Sequence, residues 1–598
     1  MPYCKRVERG DKNRMKAGRS YRIDVLKSIA IIAVVLYHFG GGYLTYGYLG
    51  VDIFFVVSGY LMMKNIYKAM QENRFSYLRF VVGRVVRLWP LVLIMTTVAL
   101  CLGLFTMLPD DLENLSESVI ASNVFANNVL SCITTRNYWN IANIFKPLMH
   151  TWYVGVLMQA YVFLPLVYLV VLKLTKGNIN AVKTSVAAIT LMSLIAYLLP
   201  GVNTAEKFYY LPFRAFEITT GSLIAFIPKY EKMTTRMQYV AEAICFCIIF
   251  FLLCSNIAIP LSSLKLLLIV CATAVLVYLF VNTAEKSSIL IKAISCVGRA
   301  SFSIYLCHQI IVAYMYYAIT DRTNIYVLLL FALVVSALST GVYLLIEKPL
   351  GFVAKKNVMR ILLACIAACL ITSCVSGVIY LHAGVVRDVP ELGIEKANVH
   401  RGMHAEYCDV PYSWDVDFVD DEKTHVWVIG NSFGRDFANI LNESSYSQEL
   451  EISYTRESEQ LVQERTSRVD EADYVFYAVK DITGVPDWLS SIVPEEKLYV
   501  VGDKKFGNSN GIIYSHRFSA DYFDQRVKLD DDFIETNVRL QKKYKEHFVD
   551  MISLLMDENN EIQVFTDDNH YISQDCYHLT KYGAQFYARI LPLNELFE

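Results

Sequence analysis

Long apolar runs follow one another from residue 23 to residue 381, and charged or histidine side chains sit inside several of them. Each run approaches the roughly 20 residues that an α-helix needs to cross about 30 Å of hydrocarbon. Counted that way there are about eleven spans, at 23–44, 48–66, 88–108, 150–172, 182–200, 211–228, 238–257, 262–282, 300–319, 325–346 and 358–381. Lys27 interrupts and His38 closes the first, IDVLKSIAIIAVVLYHF; His308 lies in SFSIYLCHQIIVAYMYY, and Glu347 ends LLLFALVVSALSTGVYLLIEKP. A charge at the bilayer centre costs about 2.5–3.5 kcal/mol on insertion scales, so such groups face a protein interior or a wet cavity. The expected fold is a multi-pass α-helical membrane domain with a buried polar site, suited to chemistry or transport.

Past residue 381 the composition becomes that of an ordinary soluble domain, so the net charge of −2 averages two unlike halves. Basic clusters at 5–22, 64–87, 173–183, 229–236, 286–299 and 348–360 fall on every second connection, while PDDLENLSES at 109–118 typifies the others. The positive-inside rule then puts the N-terminus in the cytoplasm, and an odd number of spans puts the C-terminal domain outside. The first span lacks a small-residue cleavage site and reads as an uncleaved anchor. The chain thus divides into a basic cytoplasmic tail (1–22), a membrane domain (23–350), an additional transmembrane helix (358–381), a linker (382–423) and an outer domain (424–598). Of 14 cysteines, only Cys408 and Cys576 lie in the outer part. One disulfide or two separate thiols both fit the sequence.

Within the membrane half, Lys27 and His38 are eleven positions apart, close to three helical turns, and so share a helix face. His38 titrates near neutrality when unperturbed and can take a proton from an acceptor hydroxyl; the plainer reading is a core histidine bonded to a backbone carbonyl. Arg84 and Arg87 share a face at i and i+3, which suits either phosphate binding or cytoplasmic anchoring. Arg214 and Glu217 have the spacing of an intramembrane ion pair, and Asp52 can line a cavity or cap a helix end.

The stretch YRIDVLKSIAIIAVVLYHFGGGYLTYGYLGVDIFFVVSGYLM resembles the opening of the acyltransferase family 3 membrane proteins. Further matching blocks follow in order: SYLRFVVGRVVRLWP, HTWYVGVLMQAYVFLPL, FRAFEITTGSLIA, SFSIYLCH and YLLIEKP. The resemblance covers residues 20–350. It implies transfer of an acyl group, acetyl by family default, from cytoplasmic acyl-CoA to hydroxyls of a cell-envelope or exported polysaccharide, in a bacterial cytoplasmic (inner) membrane. It implies no metal and no nucleic acid. His38 becomes the catalytic residue, Lys27, Arg84 and Arg87 bind the donor, and Asp52, Gln159, Arg214, Glu217, His308 and Glu347 support the membrane site. Two departures stand out. Lys27 replaces the usual arginine and loses bidentate geometry. Leu157 and Met158 stand where the family commonly has one or two glutamates, leaving Gln159 alone and Glu217 or Glu347 as substitutes.

The outer domain opens with THVWVIGNSFGRDFANIL, an apolar strand, a tight turn and an amphipathic run. Strand–turn–helix lifts a serine out of a sheet with its amide at a helix start. Near the C-terminus, DCYHLTKYGAQFYARIL places Asp575 and His578 three apart, and short strands between predict an α/β three-layer domain. These ends resemble the SGNH hydrolases, with GNS in place of GDS and DxxHL as the final block. The resemblance makes Ser432 the nucleophile, His578 the general base and Asp575 its orienter. Gly484, Asn508 and Asn510 are the candidates for an oxyanion hole; alternatively Ser432 merely caps a helix. The fusion implies a relay in which Ser432 becomes acylated and passes the group to a sugar. The competing readings are a transporter or flippase with an outer glycan-binding or esterase domain, and an inactive interaction protein.

Overall fold

A computed structural model describes residues 20–39, 44–135, 143–228, 234–255, 262–282, 288–318, 325–353, 357–420 and 422–597. Most of the basic tail, 1–19, lies outside these, as do Lys229, Lys232, Lys286, Lys355 and Lys356 of the other basic clusters. The chain forms two compact units: Met1–Leu102 with Glu117–Ser376, and Gly103–Ser116 with Gly377–Glu598.

The first unit is helical. Eight helices of the described chain are long and apolar enough to cross a membrane, or nine if the bent pair Ile289–Arg299 and Ser301–Ala318, angled at 57°, counts as one span. This corrects the about eleven spans expected from apolar length. Helices form at the two remaining places but do not meet the requirement. Tyr21–Phe39 carries Arg22, Asp24 and Lys27 in its first two turns. Leu211–Ile224 has only 14 residues, about 21 Å at 1.5 Å per residue.

That short helix packs backbone to backbone on Gly50–Gln71. A Cβ on Gly59 would lie 1.8 Å from the Ile218 carbonyl oxygen, and one on Gly221 would lie 1.9 Å from that of Val56. Ser222 Oγ donates to the Gly59 carbonyl at 3.2 Å. Small residues at such a crossing let membrane helices approach closely, where lipid offers no hydrophobic driving force between them. The crossing sets the first turns of both helices side by side, and with them Asp52, Arg214 and Glu217.

The second unit is a layered α/β domain. Strands β1 (Thr424–Gly430), β2 (Leu450–Arg456), β3 (Tyr474–Ala478), β4 (Leu498–Val501), β5 (Arg526–Lys528), β6 (Phe548–Val549) and β7 (Glu561–Gln563) form two sheets. The main sheet is all parallel in the order β2-β1-β3-β4-β6, and β5 pairs antiparallel with β7. Alternate residues of β1 enter opposite cores. Val426 and Val428 join Phe437, Ala438, Ile440 and Ala584, whereas Trp427 and Ile429 join Val462, Val469 and Leu489. A strand buried on both faces reads as a continuous apolar run, which is how VWVIG is written. Val385, Val389 and Ile394 of the stretch 382–423 belong to the first of these cores, as does Leu108. Strand order reverses at β1, and the crevice beyond its carboxyl end is where doubly wound sheets bind ligands.

Replacing Gly59 with valine forces the two membrane helices apart. We expect a loss of about 1–3 kcal/mol, typical of overpacking, read as a lower unfolding midpoint of the detergent-purified protein; an unchanged midpoint would refute the backbone contact.

Candidate functional site

Two cavities lie in the helical unit. The larger, about 550 Å³, is lined by His38, Asp52 and Arg214 together with Tyr37, Tyr48, Trp152, Tyr197, Phe208, Tyr209 and Tyr305. The smaller, about 120 Å³, is lined by Lys27, Arg84 and Arg87 with Tyr153, Leu157, Tyr161 and Tyr305. Tyr305 is common to both walls.

His38 stands at the end of Tyr21–Phe39, where its Nδ1 donates to the Val34 carbonyl at 2.9 Å. A carbonyl can only accept, so this bond leaves the lone pair on Nε2. His308 is arranged likewise, with Nδ1 donating to the Tyr305 carbonyl at 2.6 Å and Nε2 buried without a partner among the described residues. The two rings are 5.2 Å apart, and His150 lies 5.3 Å beyond His308. His150 is fully buried, and neither ring nitrogen has a hydrogen-bond partner of normal geometry among the described residues. Tyr305 donates its hydroxyl to the His150 carbonyl at 2.6 Å.

Arg214 is buried between two carboxylates: Nη2 lies 2.5 Å from Asp52 and Nε lies 3.1 Å from Glu217. The rings of Phe55, Trp152 and Phe208 surround its guanidinium. Lys27 pairs with buried Asp24 at 3.6 Å, and Arg84 stacks on Phe80 and Tyr161. Gln159, Glu217, His308 and Glu347 are not among the residues that line either cavity. Gln159 exchanges hydrogen bonds with Asn128 at 2.9 and 3.3 Å. Glu347 accepts from Ser303 at 2.5 Å.

In the α/β unit, β1 ends at Gly430, where a Cβ would lie 2.0 Å from the Ala478 carbonyl. Only glycine allows the strand to turn there so close to β3. Asn431 caps the next helix by accepting from Phe433 N at 3.0 Å and also takes Lys480 N at 3.3 Å. Ser432 is thus the first residue of an amphipathic helix, Ser432–Glu443. His578 Nε2 lies 2.8 Å from Ser432 Oγ, and His578 Nδ1 lies 2.8 Å from Asp575 Oδ2. The other Asp575 oxygen accepts the backbone N–H groups of Tyr577 and His578 at 3.1 and 2.9 Å. Burial disfavours the Asp575 carboxylate, but His578 and these amides outweigh that and hold its pKa below the usual carboxylate range.

Of the oxyanion candidates, Asn510 is engaged elsewhere. Asn510 Nδ2 donates to the Ser573 and Gln574 carbonyls and Oδ1 accepts from Cys576 Sγ. Gly484 packs on Tyr544, and Asn508 is exposed. Cys408 and Cys576 are separate buried thiols. Ligand atoms of Asp110, Glu113 and His404 lie within 4.8 Å of one another, but His404 Nε2 also donates to the Ala383 carbonyl and Asp110 accepts from Gln574.

A family model described as an acyltransferase domain matches residues 20–348, more than half of the chain. The chain belongs to the acyltransferase 3 family. It is 28% identical over 319 residues to the peptidoglycan O-acetyltransferase OatA of Listeria monocytogenes, covering 50% of this chain and 51% of that protein. It is 25% identical over 347 residues to the O-acetyltransferase OatA of Staphylococcus aureus, covering 55% of this chain and 56% of that one. The chain thus spans about half the length of the curated relatives it matches. No solved structure matches it.

Both cavities therefore lie in the unit that contains the acyltransferase 3 domain, and its packing adds residues the sequence did not single out. His150 opens the HTWY block, and a histidine at the start of an apolar run is the signal that could have found it. Tyr305 is one of 40 tyrosines and carried no signal at all. Leu157, one of the two positions where the family resemblance led us to expect glutamate, lines the smaller cavity beside Arg84 and Arg87.

Two outcomes follow from the charges. Removing one partner of a buried ion pair costs about 3–5 kcal/mol, so Arg214→Leu should fail to accumulate as folded protein, and adding Asp52→Asn with Glu217→Gln should restore it, judged by size-exclusion profiles. Asp575 has a lowered folded pKa, so its contribution is present above the ordinary carboxylate range and lost as pH falls through its folded value. Asp575→Asn should cost about 1–3 kcal/mol at pH 7, as for a hydrogen bond to a charged group. Thermal unfolding should show that gap closing below about pH 4.

Proposed function

We propose that the chain is a membrane O-acyltransferase that moves an acyl group, acetyl by preference, from cytoplasmic acyl-CoA to hydroxyls of a cell-envelope or exported glycan. The observation that carries this reading is the Ser432–His578–Asp575 hydrogen-bond chain in a protein whose other unit belongs to an acyltransferase family. The printed name of the Listeria relative, a peptidoglycan O-acetyltransferase, supports a polysaccharide acceptor. The alternation of basic clusters supports a cytoplasmic N-terminus and an outer C-terminal unit in a bacterial cytoplasmic membrane.

Lys27, Arg84 and Arg87 supply positive charge for the donor phosphates. The cavity they line, about 120 Å³, is well below the size of a site that encloses a whole cofactor. Only a phosphate-bearing part of the donor lies against it. His38 Nε2, with its lone pair set by the Val34 bond, acts as the base of the larger cavity. Arg214 presents a fixed positive charge there for an oxygen that becomes negative.

In the outer unit His578 Nε2 takes the Ser432 proton as Oγ attacks the acyl carbonyl. Asp575 stabilises the imidazolium and fixes its orientation. The oxyanion meets the N–H of Ser432 at the helix start, since that of Phe433 is taken by Asn431. Collapse expels the leaving group with the proton from His578 and leaves an acyl-serine. A glycan hydroxyl then gives its proton to His578 and attacks the ester, and His578 returns that proton to Oγ as the C–Oγ bond breaks and the glycan departs acylated, restoring free Ser432.

The test is alkali-releasable acyl groups on the envelope glycan of cells making the intact protein. Ser432→Ala, His578→Ala and His38→Ala should each reduce them at least 100-fold with the protein still in the membrane. Arg84→Ala with Arg87→Ala should raise KM for acyl-CoA about 100-fold, two lost charge-assisted contacts at about tenfold each. Full acylation by the Ser432 variant would leave the outer unit without a catalytic role.

A further inference from the structure

A second buried carboxylate lies behind the serine. Asp436 is one turn beyond Ser432 on the same helix and is only 1% exposed. Its Oδ2 accepts the backbone N–H of Leu579, the residue after His578, at 3.0 Å, and lies 3.0 Å from Lys504 Nζ. Its Oδ1 accepts from Arg435 at 3.3 Å, and Arg435 in turn reaches Asp409 at 2.6 Å. Lys504 follows β4, is 2% exposed and lies 3.6 Å over the Phe433 ring. One carboxylate therefore joins the helix that carries the nucleophile, the segment that carries the histidine and the end of a central strand.

Such a pair is not explained by stability. A buried ion pair is commonly no better than apolar residues of the same volume, because desolvation offsets the attraction. What the pair does fix is distance. Ser432 and Leu579 are tethered through one side chain, and His578 sits between the tethered points. The titratable groups facing Asp436 are Lys504, Arg435 and His578, Cys408 and Tyr407 from the segment before β1, and Tyr454 from β2.

We propose that Asp436 and Lys504 are a positioning pair for the Ser432–His578 step, with Asp436 holding the histidine segment at bonding distance from the serine and its charge, balanced by Lys504, setting the basicity of His578. The inference rests on the triad acting as proposed above. Desolvation opposes a charged Asp436, but Lys504 and Arg435 outweigh it and keep the carboxylate ionised.

The test uses the intact protein in detergent, p-nitrophenyl acetate as acyl donor and a fluorophosphonate label for Ser432. Asp436→Asn preserves shape and leaves one oxygen for the Leu579 amide while removing the charge. It should lower kcat 10- to 100-fold with KM within twofold, and move the acid limb of the rate profile to lower pH. Lys504→Met unmasks the carboxylate and should move that limb to higher pH. The double variant, neutral again, should bring the limb back toward the parent while kcat stays low. Opposite displacements are not produced by general loosening of the fold. If D436N does not fold, the Lys504→Met displacement alone decides. Limbs that stay put, or move the same way in both variants, overturn the positioning pair. Label that still incorporates in Ser432→Ala overturns the triad itself, so the two failures are distinguishable.

Discussion

Arg214 is a permanent charge held among apolar helices, and the helical unit is organised around satisfying it. Isolated in hydrocarbon it would be costly; placed between Asp52 and Glu217 and ringed by aromatic faces, its charge is compensated and held in one place. The placement depends on a short helix pressed onto its neighbour at Gly59 and Gly221 so closely that no Cβ fits. Steric absence at two glycines thus sets an electrostatic feature two helical turns away. The same arrangement explains how an apolar bundle contains a cavity of about 550 Å³ with charged walls.

The α/β unit solves a related problem differently. A serine hydroxyl is a weak nucleophile, and it gains reactivity only if a base is held against it and a dipole awaits the oxyanion. β1 is buried on both faces and therefore rigid, Gly430 permits the turn, and Asn431 starts the helix. Ser432 thus follows a strand buried on both faces and a turn that admits only glycine. His578 comes from a segment remote in sequence, kept in place by Asp575 on one side and by Asp436 through the Leu579 amide on the other. Precision comes from these tethers, since a hydrogen bond of 2.8 Å tolerates little displacement.

Much was legible because its physics is local. Apolar length announces helices, and VWVIG followed by GNS announces a buried strand and an elbow. The i, i+3 spacing of Asp575 and His578 is itself the geometry of their bond. The span count was less legible, because apolar composition does not reveal that Leu211–Ile224 ends after 14 residues or that three charges crowd the start of Tyr21–Phe39. Glu347 drew notice as a charge in an apolar stretch and Gln159 through the family resemblance, and each is hydrogen-bonded to a neighbouring side chain.

By itself the sequence determined the two-part organisation, the helical and α/β classes, and the residues able to accept protons or bear charge, since periodicity and residue chemistry need no partner. Tertiary structure alone decided that Arg214 has two carboxylates and not one, that His150 and His308 extend from His38, and that Asp436 reaches the Leu579 amide. Those relations join residues up to 270 positions apart, the separation of His38 and His308. Nothing in local spacing encodes them, because close approach of distant segments is set by which surfaces pack without a gap.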